Sequence, residues 1–328
     1  MNRKGIEFSF GWLFAVIVGA AILFLAIYAS TKFLGTQQSV SNTEAAQTLG
    51  TLMSPFETSV EASELAPPID TNVPTRLYVS CSPSGYDATG QTFGSQNFRV
   101  SISSGAGNKQ WPEPGAAVTF YNKYTFSSAL VEDRMFMNVL TVPLYYPYKV
   151  ADLQMVFSDT QRYCFVNAPQ DFKNTLTTRN ITSIQFASSR GECLKGSISV
   201  CFVSSGCDED VSLTSNSIQK NGTTLYYGTS GDYTDPNSAL MYAAVFSDPS
   251  IYECQLKRIG LRVAALARVY EDKNSFITSS GCSSNMESEL VGLESAAASL
   301  NSSHDINSLA LSAQEVGSKN EIQSCKLF

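Results

Sequence analysis

One histidine occurs in 328 residues, His304, and that scarcity excludes much chemistry. HExxH cannot be built. A Ser-His-Asp or Cys-His centre would have to use His304, which sits between Ser303 and Asp305 and reads as a turn residue. Zinc centres draw on several His or Cys ligands, and the eight cysteines form no CxxC pair. There is no P-loop and no GxGxxG after a strand; Gly90-Gln-Thr-Phe-Gly94 lacks the lysine and reads as a loop. Asp208-Glu209-Asp210 lacks the ligand spacing of an EF-hand and reads as a solvated turn. Glu132, Asp133 and Asp152 lie near predicted strands, but their spacing assigns them no role. No cofactor, metal centre or catalytic set is expected, and the chain does not read as an enzyme.

Charge is missing from residues 8–31, a run of 24 between Glu7 and Lys32. As a helix it is about 36 Å long, enough to cross a hydrocarbon core of about 30 Å. The core of a cleaved secretory signal is shorter, about 7–15 residues, so the run reads as a retained anchor. Arg3 and Lys4 precede it and only Lys32 follows closely, which places the N-terminus in the cytoplasm and the bulk outside. Basic residues are also in deficit after position 34: 19 against 28 acidic, a net of −9. Such a surface repels phosphate backbones, so nucleic acid is not an expected partner. Gly11, Ala15 and Gly19 share one helix face, a spacing that lets a second helix approach closely in lipid. The expected partners are the bilayer and a copy of this helix or another membrane helix.

All eight cysteines follow the membrane run: Cys81, Cys164, Cys193, Cys201, Cys207, Cys254, Cys282 and Cys325. An even count without CxxC reads as up to four disulfides in an oxidising compartment. Cys193 and Cys207 flank the strand that holds Cys201 and are candidates to bridge, leaving Cys201 for Cys164 or Cys81. Three N-x-S/T sequons, at Asn180, Asn221 and Asn301, mark candidate glycosylation sites.

Residues 34–73 read as a polar, partly helical stalk, with Ala45, Leu49, Leu52 and Phe56 at helical spacing and Ala66-Pro67-Pro68 as its end. The stalk either continues the membrane helix or packs as a short helix on the domain. Period-two alternation then dominates residues 74–236, as in Leu77/Val79/Cys81, Phe98/Val100/Ile102, Val118/Phe120, Ile184/Phe186 and Ile198/Val200/Phe202. This predicts an antiparallel β-rich exterior domain. Asn221-Gly222 predicts a tight hairpin turn, and Pro169 predicts the first turn of a short helix. The Tyr145-Tyr146-Pro147-Tyr148-Lys149 segment is either a binding anchor or core filling.

Residues 237–328 are helical in period. Tyr252, Leu256, Ile259, Val263, Leu266 and Tyr270 form one stripe, behind Asp248 as N-cap and Pro249. Met286/Leu290/Leu293/Ala297/Leu300 and Ile306/Leu309/Ala313/Val316 form two more, joined by a short polar connection. An antiparallel hairpin of these two helices brings Cys282 beside Cys325, the preferred pair. The predicted class is α+β: a cytoplasmic tail and transmembrane helix (1–33), the stalk, the β-rich domain and a disulfide-tied helical C-terminal region.

Lys4-Gly5-Ile6-Glu7 ahead of an apolar helix resembles pilin-type signals, including archaeal pilin and archaellin precursors, which are cut after the glycine. Here the glutamate falls second after that position, not fifth as in the bacterial pattern. The same opening through Trp12, with Trp111-Pro-Glu-Pro-Gly115, the segment from Phe120 to Phe126, Pro147-Tyr-Lys-Val-Ala-Asp-Leu153 and Tyr163-Cys-Phe-Val-Asn-Ala-Pro169, is similar to a group of uncharacterised single-pass archaeal membrane proteins. That resemblance implies location and architecture and carries no functional residue. The expected function is a structural or binding role at the cell surface. The alternatives are a pilin-like subunit or assembly component, and an exterior carboxylate-dependent hydrolase.

Overall fold

The computed structural model describes residues 10–53, 68–85, 90, 93–103, 111–178, 181–203, 205–228, 239–282 and 284–328. Its class is α+β: a long N-terminal helix, sheets in the middle of the chain, helices at the C-terminal end, and four disulfides. Helix α1 (Phe10–Leu52) is unbroken over 43 residues, about 64 Å at about 1.5 Å per residue. Among the described residues it is the helix long and apolar enough to cross a membrane. Both readings of the stalk therefore meet in one element: it continues the apolar N-terminal helix, and its last turns pack on a sheet.

Three sheets follow. The first has the order β1 (Ile69–Asp70), β7 (Phe136–Tyr145), β8 (Lys149–Ser158), β5 (Tyr124–Phe126). The second has the order β4 (Val118–Phe120), β3 (Ser95–Ile102), β2 (Thr75–Ser82), β6 (Leu130–Asp133). The third has the order β10 (Ile184–Ala187), β9 (Tyr163–Val166), β11 (Ile198–Cys201), β12 (Glu209–Ser212), β13 (Ser217–Lys220), β14 (Thr223–Tyr226). The second sheet is antiparallel throughout. The other two also contain parallel pairs: β5 with β8, β9 with both β10 and β11, and β11 with β12. The β9–β10 connection is the short helix α2 (Gln170–Thr177), entered at Pro169, which makes that crossover parallel.

The first sheet is buried on both faces. Met137, Val139 and Val156 meet the second sheet and the end of α1. Leu140, Leu144, Leu153, Met155 and Phe157 face the larger core, shared with the third sheet and the C-terminal helices. Inside that core lies α3 (Ala239–Phe246), with all eight residues buried. Its uniformly apolar sequence fits a helix packed on every side. Next comes α4 (Pro249–Ser279), with Pro249 in its first turn. The Asp248 side chain does not cap α4; it accepts a hydrogen bond from Ala129 N at 2.7 Å and so ties the helix start to β6. Helices α5 (Glu287–Ala298) and α6 (Ile306–Glu321) pack together, with Leu290, Leu293, Leu309, Ala313 and Val316 in the same core.

Candidate functional site

The joint between α1 and the sheets is built from a short patterned segment. Residues 10–41 are exposed apart from half-buried Gln38. Asn42, Ala46, Leu49 and Gly50 are then buried on one face, followed by Met53. The stripe is turned slightly from the expected one: Leu49 is common to both, Ala45 is half-buried, and Leu52 is 50% exposed. Phe56 lies outside the described residues. Polar bonds fix the depth and rotation of the helix. Asn42 donates to Glu113 O at 3.1 Å and accepts from Ile102 N at 3.2 Å, and Thr43 Oγ1 accepts from Ala116 N at 2.9 Å. At the other end Gln154 donates to Met53 O at 2.8 Å. Two glycines allow the approach. A Cβ on Gly115 would stand 2.6 Å from Thr43 N, and one on Gly50 would enter the Phe120 ring.

Gly11, Ala15 and Gly19 lie on the exposed part of α1, with open space at both glycines. Arg3, Lys4, Gly5 and Glu7 lie outside the described residues, as does Asn180. Asn221 is exposed at the tip of the β13–β14 hairpin, with φ 50°, ahead of Gly222 with φ 74°. That is the two-residue turn its sequence predicts. Asn301 is exposed between α5 and α6.

The structure pairs Cys81 with Cys254, Cys164 with Cys193, Cys201 with Cys207, and Cys282 with Cys325. Cys282–Cys325 closes the α5–α6 hairpin, as the antiparallel geometry requires. The Cys193–Cys207 alternative is corrected. Cys164 on β9 and Cys201 on β11 lie on one outer face of the third sheet, where Cys193 reaches Cys164 and Cys207 turns back to Cys201. Cys201 is 1% exposed, inside a small separate core of cystines with Val166 and Ala187. Asp210 is close to Cys201 and Cys207, but their sulfurs are bonded to each other, so the trio offers no thiolate to a metal.

Other singled-out groups have structural partners. Tyr146 and Tyr148 are buried, and Tyr148 stacks on Tyr270 at 4.2 Å, so the tyrosine segment fills the core; Tyr145 is exposed. His304 is exposed and meets Tyr226 edge-on. Asp208 accepts from Ser199 N and Oγ, and Asp210 from Gly206 N and Cys207 N. Glu209 is buried opposite Lys220, whose ammonium lies 2.7 Å from the carboxylate and donates to Val245 O near the end of α3. Burial raises the Glu209 pKa to about 7, against the pull of Lys220. Asp152 is buried beside Lys149 at 2.9 Å; burial raises its pKa, opposed by Lys149 and Arg262.

One cavity gathers several chemical types. It has a volume of about 320 Å³ and lies at the end of β6, lined by Trp111, Glu132, Asp133, Arg134 and neighbours. Arg76 pairs with Glu132 at 2.7 Å and covers one face of the Trp111 ring, 4.2 Å from its centroid. Asp133 is buried and accepts from Thr75 N and Thr71 Oγ1. Burial is the largest cause raising its pKa to about 7, with Asp159 and Glu132 adding and the two hydrogen bonds opposing. Sequence reading left this cavity unseen, because Trp111, which follows β3, and the β6 acids meet through pairing of β2 with both β3 and β6. Glu132 and Asp133 are successive strand residues and leave the sheet on opposite faces, so they are not the facing pair a glycosidase uses.

No protein-family model, curated protein or solved structure matches this chain.

Proposed function

We propose that this chain is an exterior structural subunit, anchored by α1 with its N-terminus in the cytoplasm, and that α1 assembles side by side with α1 of further copies. The supporting observation is the continuity of α1 from its exposed apolar part into the seat on the second sheet. A passive tether needs no stiff joint. A helix held by Asn42, Thr43 and Gly115 fixes the exterior domain relative to the membrane, which an ordered array requires. The small-residue face of α1 supplies close contact in lipid. Orientation follows the basic tail, and the four disulfides fit an oxidising compartment. The pilin-like reading is the form of this proposal in which the chain is cut after Gly5.

All described cysteines are bonded, so Ala15→Cys adds a single free thiol in α1. Oxidation in native membranes is expected to give a covalent dimer, and a mature chain that starts at Ile6 identifies the pilin-like form of the assembly. A purely monomeric product with a start at Met1 or Asn2 reduces the chain to a plain anchor and overturns the assembly. A Leu213→Cys variant reports orientation separately: maleimide should reach it in intact cells, and labelling only after lysis refutes the exterior placement.

A further inference from the structure

We infer that the Trp111–Asp133 cavity is a binding site for an uncharged, hydroxyl-bearing ring, a single sugar residue of a glycan. The inference is independent of assembly through α1. Its volume of about 320 Å³ is at the lower end of ligand pockets, about 300–1,000 Å³. That suits one ring better than a long chain.

The lining excludes other ligand classes in turn. A divalent cation needs converging oxygens. Among the described residues Glu132, Asp133 and Asp159 do not form a set close enough to hold one. A phosphate or other anion would find one lining cation, Arg134, set against the Glu132 carboxylate, while the Arg76 guanidinium is already engaged by Glu132 at 2.7 Å. An amine would need a full negative charge, but Asp133 titrates near neutrality because it is buried, and Arg134 lines the same space. What remains is a neutral ligand that both donates and accepts. Its hydroxyls would meet Asp133 as donor or acceptor, Arg134 as donor, and Thr160 Oγ1, whose own proton goes to Glu132 O, as acceptor.

Trp111 provides the apolar surface that the C–H face of a sugar ring needs. With one ring face taken by Arg76, the indole is held still and only its remaining surface is offered. Pre-positioning of this kind reduces the ordering cost of binding. The rim is also fixed: Ser103 N donates to Pro74 O at 2.9 Å, and Thr160 Oγ1 donates to Glu132 O at 3.2 Å.

The chain has two tryptophans, Trp12 in the membrane helix and Trp111. In a Trp12→Phe background the emission reports on Trp111 alone. The test uses the full chain in a zwitterionic, non-glycosidic detergent, because alkyl glycosides would present sugar themselves. Galactose, mannose and N-acetylglucosamine are titrated, with inorganic phosphate and ethanolamine as charged probes. The expected result is a saturable emission change with at least one sugar and none with the charged probes. Arg134→Ala, at an exposed position, should weaken binding about tenfold, as should Thr160→Val. Absence of a saturable change with every sugar overturns the inference. So does saturation by phosphate or ethanolamine, or unchanged sugar affinity in both variants while circular dichroism reports a native fold.

Discussion

Arg258 is the largest fully buried side chain among the described residues, and its bonded partners are all neutral oxygens. Its guanidinium donates to Phe93 O, Lys123 O, Tyr121 O and Gln255 Oε1, and lies 4.9 Å from the Tyr124 ring centroid. Burial lowers its pKa to about 10. One residue of α4 thus ties together the chain entering β3 and the chain between β4 and β5. Arg258→Met strands those carbonyls, each at a cost of about 1–3 kcal/mol. The expected loss is about 3 kcal/mol or more, read from denaturant melts. Asp133 acts in the opposite sense with pH. Its carboxyl titrates near 7 when folded, against 3.8 ordinarily. Between these values the native state keeps a proton that the unfolded chain has released, so stability falls as pH rises from about 4 to about 7. Glu209, also raised to about 7, adds a slope of the same sign. Asp133→Asn should flatten the pH dependence by up to one proton, and an unchanged slope in thermal melts would refute this role. Neither residue announces itself in the sequence. An arginine within a helical stripe and an acid at a strand end look solvated until the strands around them are paired.

Elements were legible where one face is wet. β2 and β3 alternate in sequence because each has a core side and an outer side. β7 and β8 do not alternate: β8 is buried from Val150 to Ser158, since both faces of the first sheet are covered. The α5–α6 hairpin and its cystine followed from stripe spacing and a short connection. The seat of α1 did not, because it depends on Gly115, a residue distant in sequence that reads only as part of a loop. That position gives an element-scale test. In Gly115→Val the side chain meets Thr43 N, so the last turns of α1 must lift from the second sheet. Hydrogen exchange at residues 42–53 should rise by at least tenfold, with the third sheet unchanged. Protection equal to wild type would show that the close approach does not hold the helix.

At the scale of the molecule the decisive feature is the shared first sheet. The two large hydrophobic clusters, one with α1 and the second sheet, one with the third sheet and the C-terminal helices, meet across β7 and β8. Neither can lose its packing without exposing a face of those strands. The helical C-terminal region and the β-rich region therefore share one core, although their sequence patterns change sharply near residue 237. Cys81–Cys254 reinforces this by joining β2 to α4 across a separation of 173 residues. A bridge over so long a loop restricts the unfolded chain strongly, and its removal costs about 3–5 kcal/mol. The paired change Cys81→Ser and Cys254→Ser should lower the melting temperature, yet leave one cooperative transition by both far-ultraviolet and near-ultraviolet circular dichroism. The reason is that the shared strands, not the cystine, couple the cores. Two resolved transitions in that variant would mean the cores fold independently and are joined only by the bridge. The joint between α1 and the second sheet would then orient only part of the folded mass, and the stiff link proposed between membrane helix and whole domain would fail with it.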